Sequence, residues 1–392
     1  MGVKRTGPTF LYDHGGHQFT YELARDLSES GTHMLYAFTD GVTAPHGRLV
    51  SDDTLRVEVI GKGRRFERYS PFKRAVAEVR LAFDAARLAH RSRCSHLITC
   101  NMPVITVALL ALACRLSSTR LTVWFQDSQA GVAAAALKNG TSVRLVRAIE
   151  AWGLRAASRV ITISEAMVAE AEGMRVPPDR VRLLPNWAPI SQIPVLDKEN
   201  DWSRAQGLDR TFVFLYSGTL GIKHSPNRLS ALARWLAQHP YEAVVLVVSE
   251  GPVAESLAHE AARDGLPLRV EPFQPATTLP LVLATADVCV VLLESHSSDF
   301  CVPSKVWSYM CAARPILGSM PESNAATEIV AARAEAGMMV TPEQPDRYFL
   351  AAAEQLLASP GVRAAMGGRA RAFAEAEFER DAVRSNFERA LN

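Results

Sequence analysis

Short β-branched runs separated by longer, helix-patterned segments recur from one end of this chain to the other, and that alternation leaves few architectures open. In the first half the runs are TFLY (9–12), HMLYAF (33–38), LRVEVI (55–60), HLITC (96–100), LTVWF (121–125), RVITI (159–163) and RVRLL (180–184). In the second they are FVFLY (212–216), AVVLVV (243–248), LRVE (268–271), VCVVLL (288–293) and RPIL (314–317). A strand that must bury both faces under helices reads as such a continuous apolar run, so each series predicts a parallel, doubly wound sheet. The 392 residues are also too many for one ordinary core. The expectation is an α/β chain of two Rossmann-like doubly wound domains facing a central cleft. The first spans 1–190, a Pro-rich and polar linker 191–210, the second 211–370, and 371–392 form a helix returning to the first domain.

Composition narrows the function. Lysine and arginine number 43 against 41 aspartate and glutamate, a net charge of +2, which argues against a general nucleic-acid binder and makes any electrostatic function local. No run reaches the roughly 18 apolar residues needed to cross a bilayer. The amino terminus lacks the apolar core and cleavage site of a signal peptide, so a cytoplasmic protein is expected. The six cysteines fall mostly inside apolar runs without a C-x-x-C pair, which favours buried thiols over zinc or redox work.

Open parallel sheets bind ligands beyond the carboxyl ends of their strands, so the residues after each run carry the functional information. After FVFLY comes SGTLGIKHSPNRL, with Gly218, Thr219 and Gly221 in the turn and Lys223 before a helix predicted to start at 225–227. Glycines let backbone amides approach an anion, a helix start adds partial positive charge, and Lys223 adds a full one. A plain connecting turn is the competing reading, and the spacing is not that of a P-loop. After AVVLVV, Glu250 and Gly251 stand at another strand-to-helix turn, where simple capping competes with ligand contact. After LRVE, Phe273 and Gln274 precede a capped helix. Phe273 could lie against a nucleobase or belong to the core.

VCVVLLE is followed by SSDFCVPSKVWSYMCAARPIL (297–317). Pro303 suits a first helical turn, Ser304 suits a cap, and Lys305 then falls in the first turn, the wrong end of the helix dipole for a cation. A docked polyanion resolves that misfit; a solvated lysine is the alternative.

In the first domain DHGGHQFTYELARDL repeats the theme, with Gly15 and Gly16 at a helix start able to admit a diphosphate or a sugar, and His14 and His17 read as rim residues. Gln126 and Asp127 follow LTVWF, where a carboxylate can hydrogen-bond or deprotonate an acceptor hydroxyl or serve as a cap. No D-x-D occurs, so no metal site is expected, and neutralisation of a diphosphate falls to Lys223, Lys305 and helix starts.

YSGTLGIKHSPNRL, VVSEGPVAESL, LPLVLATADVCVVLL and VPSKVWSYMCAARPIL, in that order, resemble the carboxyl-terminal domain of GT-B, family 4 type glycosyltransferases, in particular the bacterial exopolysaccharide and O-antigen branch similar to the colanic acid enzymes. GGHQFTYELARDLSESGTHMLYAFT, VWFQDSQA, ASRVITISEAM and VRLLPNWAPI extend the resemblance over nearly the whole chain. It implies a glycosyltransferase that moves a sugar from a nucleotide-diphosphate donor, a UDP-sugar being favoured, to a glycan or a polyprenyl-diphosphate-linked acceptor, with retention and without a metal or further cofactor. It implies Lys223, Ser304 and Lys305 on the diphosphate, and Asp127 at the family's acidic position. Two carboxylates of the family are absent: Phe300 and Ser308 stand in their places, leaving Ser308 as the residue beside the ribose. That absence keeps a non-catalytic sugar-nucleotide-binding or scaffold subunit in view, and a GT-B-type epimerase, which shares the two-domain plan, is a third reading.

Residues 67–93 carry Phe72, Val76, Val79 and Phe83 at helical spacing among seven basic residues from Arg68 to Arg93. Such a helix either rests on an anionic membrane surface, at the inner face of the cytoplasmic membrane, or packs its apolar stripe on the sheet and solvates its arginines.

Overall fold

The computed structural model describes residues 7–41, 49–63, 71–136, 140–188, 190–221, 224–295 and 302–391. These described residues divide into two compact units, one of those up to Asn186 together with 380–391, the other of those from Trp187 to Glu379.

The first unit runs β1 (Thr9–Asp13), α1 (Gln18–Glu29), β2 (Met34–Thr39), β3 (Leu55–Ile60), α2 (Pro71–Arg91), β4 (His96–Cys100), α3 (Val104–Ser117), β5 (Arg120–Phe125), α4 (Gln129–Ala136), α5 (Gly140–Ala156), β6 (Arg159–Thr162), α6 (Glu165–Gly173) and β7 (Val181–Leu183). All seven strands pair in parallel in the order β3-β2-β1-β4-β5-β6-β7. Thr9 lies opposite both Met34 and His96, so β1 is the point from which the chain winds in both directions. The crossovers from β3 to β4, β4 to β5 and β5 to β6 run the same way, and right-handed connections put α2, α3 and α5 on one face of the sheet.

The second unit opens with α7 (Asp201–Ala205) and continues β8 (Phe212–Ser217), α8 (Asn227–Ala237), β9 (Ala243–Val248), α9 (Pro252–Asp264), β10 (Leu268–Glu271), α10 (Leu279–Thr285), β11 (Val288–Leu292), α11 (Lys305–Cys311), β12 (Ile316–Ser319), α12 (Ala325–Glu328), β13 (Gly337–Val340), α13 (Asp346–Ala358) and α14 (Pro360–Glu377). Its six parallel strands are ordered β10-β9-β8-β11-β12-β13, with the reversal between β8 and β11. Phe214, Tyr216, Val245, Val247, Val290 and Leu292 alternate onto one face and pack with Leu229, Leu232 and Phe349 from the covering helices. The last helix, α15 (Arg380–Leu391), belongs to the first unit, where Phe387 meets Trp124 at 5.1 Å between ring centroids and Arg380 pairs with Asp26 and Glu29 on α1.

The unit boundary falls after Asn186 and again at Arg380, not at 190 and 370, for local reasons. Residues 191–210 are no free linker: Asn200 caps α7 through a capping box with Ser203, Lys198 pairs with Asp287, and Asn200 Nδ2 donates to Leu281 O at 3.1 Å. At the other end Arg371 on α14 donates to Ile193 O and Cys311 O at 2.9 and 2.6 Å, which binds that helix into the second unit. Two further corrections concern single elements. RPIL enters the sheet only at Ile316, and β13, GMMV, was not expected at all, because a glycine and two methionines carry no β-branched signal.

Candidate functional site

In an open α/β sheet the crevice lies where the winding reverses, at the carboxyl ends of the strands beside that point. In the second unit this is the end of β8 beside β11. Gly218 leaves β8 at φ +129°, a conformation closed to side chains, and the turn folds back onto α11. Lys305 Nζ sits 3.7 Å from the centroid of the Tyr216 ring, hydrogen-bonds the Tyr216 hydroxyl, and lies 3.5 Å from Thr219 O. A side chain at Gly218 would meet Lys305 Cε at 3.2 Å. The Tyr216 hydroxyl donates to Thr219 O at 2.8 Å, and Gly221 N donates to His224 Nδ1 at 2.9 Å. One helical turn beyond Lys305, the Tyr309 hydroxyl accepts from Ser217 N at 3.0 Å and donates to Ser217 O at 3.2 Å. Positions i and i+4 share a helix face, so α11 grips the end of β8 with one residue and holds an ammonium over the glycine turn with the other.

The remaining predicted residues of this unit arrange around that turn. Ser304 occupies the N-cap position of α11 but its side chain makes no capping bond, a correction to the expected cap. Pro303 precedes the helix instead of opening it, though its carbonyl accepts from Val306 N at 3.2 Å. Ser308 is half-buried on α11. Glu250 Oε1 accepts from Phe273 N at 3.1 Å, which ties the turn after β9 to the segment after β10, and Gly251 at φ +99° leads into α9. Phe273 is partly exposed, and Gln274 accepts from Trp202 Nε1 at 3.3 Å. Ser249 and Ser319, at the ends of β9 and β12, bury hydroxyls with no hydrogen-bond partner among the described residues. Lys223 and Phe300 lie outside the described residues.

In the first unit the reversal falls between β1 and β4, and a residue the sequence did not single out dominates it. Asp13, fully buried at the end of β1, accepts from Gly15 N at 3.2 Å, His17 N at 2.6 Å and the Thr20 hydroxyl at 2.7 Å, and pairs with His17 Nδ1 at 2.9 Å. Asn101, following β4, reaches Asp13 Oδ1 at 3.5 Å and His17 Nδ1 at 3.3 Å. Burial pushes the Asp13 carboxyl up, but the charge of His17 and these hydrogen bonds outweigh it and hold the group below the ordinary carboxylate range. Burial likewise pushes His17 down, and the charges of Asp13 and Asp127 with the Asp13 hydrogen bond lift it above the ordinary imidazole value.

This changes the reading of Gly15 and Gly16. Their amides donate to the Asp13 carboxylate and to Asp13 O, and Asp13 fills the place at the start of α1 that an external anion would take. Gly16 is required by its φ of +65° and by Phe38 Cβ, 3.0 Å from where its own Cβ would stand. His14 is buried and bonds Thr39 Oγ1 at 2.9 Å, so it is no rim residue, whereas His17 is more than a third exposed. Asp127 follows β5, partly exposed, close enough for its charge to act on His17 and Cys100. It borders a cavity of about 50 Å³ also lined by Thr99, Asn101, Gln126 and Glu150. Gln126 is engaged internally, donating to Cys100 Sγ at 3.2 Å and accepting from Asn186 Nδ2 at 3.2 Å.

Residues 14–187 match the glycosyl transferase 4-like domain. None of the curated proteins matches the chain. Among solved structures the chain is similar to Anabaena HepE in complex with UDP-glucose, at 15% identity and a TM-score of 0.72 over 98% of this chain and 99% of that one. Sucrose-phosphate synthase from Thermosynechococcus elongatus superposes at 0.74 with 14% identity, covering 98% of each chain. WaaG, a glycosyltransferase involved in lipopolysaccharide biosynthesis, does so at 0.70 with 12% identity over 97% of this chain and 98% of that one. These likenesses show the fold, two parallel-sheet, Rossmann-like units of the GT-B type, the first of which carries the glycosyl transferase 4-like domain.

Proposed function

We propose that this protein is a glycosyltransferase that moves a sugar from a nucleoside-diphosphate donor, a UDP-sugar, to a hydroxyl of a glycan or a polyprenyl-diphosphate-linked glycan, with retention of configuration and without a metal ion. The pathway is cell-surface polysaccharide synthesis of the exopolysaccharide and O-antigen type, at the inner face of the cytoplasmic membrane. The observation that carries the donor reading is the Lys305 ammonium fixed over Tyr216 beside Gly218, at the strand end where a doubly wound sheet receives a nucleotide. HepE with bound UDP-glucose supports the nucleotide assignment, and the polysaccharide assignment draws on the sequence resemblance and on WaaG.

As the bond from the anomeric carbon to the diphosphate oxygen breaks, negative charge grows on the phosphate. A preorganised cation and backbone amides there stabilise it without a carboxylate-held magnesium. The acceptor oxygen bonds the anomeric carbon and its proton passes to the departing phosphate oxygen. Asp127 orients the acceptor hydroxyl, and His17, whose charged form Asp13 favours, lies within reach of the Asp127 charge. Thermal shift with UDP-, GDP-, dTDP- and ADP-sugars, followed by nucleotide release in the presence of EDTA, tests the proposal. Stabilisation by one sugar nucleotide and release of its nucleotide are expected; no shift with any of them would remove the reading.

A further inference from the structure

We propose that the outer face of α2, α3 and α5 in the first unit is a docking surface for an anionic phospholipid bilayer. The proposal deepens the lipid-linked acceptor reading by naming the surface that brings the enzyme to it.

The three helices form one layer, α3 packing against α2 on one side and α5 on the other. The side of that layer away from the sheet is unusually apolar. On α2 Phe72 is 79% exposed and Phe83 67%, with Val79 between them; a helix packing its stripe on the sheet would bury these, and instead Leu81, Ala82 and Ala85 take that place. α3, whose mid-layer position gives it the least solvent, shows Leu109, Leu112 and, at 81%, Leu116. α5 adds Leu145 at 61% and Trp152. Single exposed apolar residues need no explanation, but a set running across three neighbouring helices does.

Charge selects the occupant. The exposed ionisable side chains on these helices are Lys73, Arg80, Arg87, His90 and Arg91 on α2, Arg115 on α3, and Arg144, Arg147 and Arg155 on α5. No exposed position of the three helices is a carboxylate. Glu78 is buried against Arg74 and Ile105 N, Asp84 is partly buried, and Glu150 is buried under the amides of Gln129 and Ala130. Of the arginines, Arg147 is countered by Glu170 at 3.5 Å. Among the described residues the other eight basic side chains named have no carboxylate partner, so the three helices that expose these aromatic and leucine side chains also carry unpaired cations. Arginine stems lie along apolar surface with their heads at the phosphate level, while phenylalanine, leucine and tryptophan enter the headgroup boundary. A self-associating face would bring those cations together, so a second copy of the chain fits poorly.

The test is co-sedimentation of the full chain with phosphatidylcholine vesicles and with vesicles that also contain phosphatidylglycerol, at low and high salt. Two variants accompany it: Phe72→Ser, Phe83→Ser and Leu116→Ser combined, and Arg80→Gln with Arg87→Gln. All five side chains point to solvent, and melting temperature and sugar-nucleotide binding should match the parent. Expected are binding that requires phosphatidylglycerol, falls with salt, drops about fivefold for each arginine removed, and is abolished by the serine variant. No binding to anionic vesicles at low salt overturns the proposal. So does binding unaffected by the serine variant, which would mark a purely electrostatic contact, or concentration-dependent dimers dissolved by that variant in place of lipid binding. Because lipid binding is read without transfer, loss of the donor reading and loss of this one are separate results.

Discussion

The ammonium of Lys305 lies 3.7 Å from the centroid of the Tyr216 ring and bonds that residue's hydroxyl, so one tyrosine both orients the cation and, through Thr219 O at 2.8 Å, shapes the glycine turn beneath it. Lys305→Ala should lower turnover of the sugar nucleotide about 10²–10³-fold, as loss of one preorganised charge at a developing anion does. Its cost in stability should stay near ~1 kcal/mol, the scale of an exposed cation–π contact. Tyr216→Phe keeps the ring and loses the two hydroxyl bonds, so its turnover should fall between parent and Lys305→Ala. Equal kcat for Lys305→Ala and the parent would take Lys305 out of the reaction.

Gly218→Ala isolates the turn from the charge. At φ +129° an L side chain costs about 1–3 kcal/mol, and its methyl would press on Lys305 Cε, 3.2 Å from the ideal Cβ. Chemical denaturation should show that loss, and calorimetry should show weaker nucleotide-sugar binding than the stability loss alone explains. A variant that binds the donor as tightly as the parent would show that the turn does not face it.

How much of this could be read from the chain differs between fold and site. LRVEVI, HLITC, AVVLVV and LRVE coincide with β3, β4, β9 and β10 because an apolar, β-branched run has little choice once helices cover both faces. GMMV did not declare itself, since Ile316 and Ser319 in the neighbouring strand, not its own residues, make it a strand. Lys305 was legible through its misfit with the helix dipole. Tyr216 and Tyr309 were not, because an aromatic at a strand end or in an apolar helix reads as core, and their hydroxyl bonds span 89 and 92 residues of sequence. Asp13 stayed hidden one residue past TFLY, where an aspartate before two glycines reads as turn chemistry. Its partners Gly15, His17 and Thr20 come together only when α1 folds back on β1, and Asn101 only when β4 pairs beside it.

The Asp13–His17 pair carries a pH signature on both sides of neutrality. His17 is raised above its usual 6.5, so its contribution to stability is complete below pH 6.5 and disappears as pH climbs through the higher folded value. Asp13 is lowered from 3.8, so its contribution is present above that pH and disappears as pH drops through the lower folded value. His17→Gln should abolish the alkaline loss and leave the acid one, at a cost of about 1–3 kcal/mol at pH 6 for the less satisfied carboxylate. Melting curves from pH 3 to 9 check this. The pH profile of kcat/KM should lose the same alkaline limb if His17 meets the acceptor, whereas a purely structural pair would leave that profile unmoved.

Glu22, one turn along α1, offers an independent stability test. Burial is the largest influence on its carboxyl; the Gln18 hydrogen bond and Arg380 pull it down, Asp26 pushes it up, and the balance sets it near 7. A carboxylate raised in the folded state favours folding fully below pH 4.5 and loses that contribution as pH rises through about 7. Glu22→Gln removes the charge while keeping the shape and an acceptor oxygen for the Gln18 amide. The variant should therefore be more stable than the parent at pH 8 by about 1 kcal/mol, after allowance for the side chain's partial exposure, and nearly equal to it at pH 5. A gain of the same size at both pH values would mean that the amide improves packing or helix propensity, and that ionisation of Glu22 plays no part.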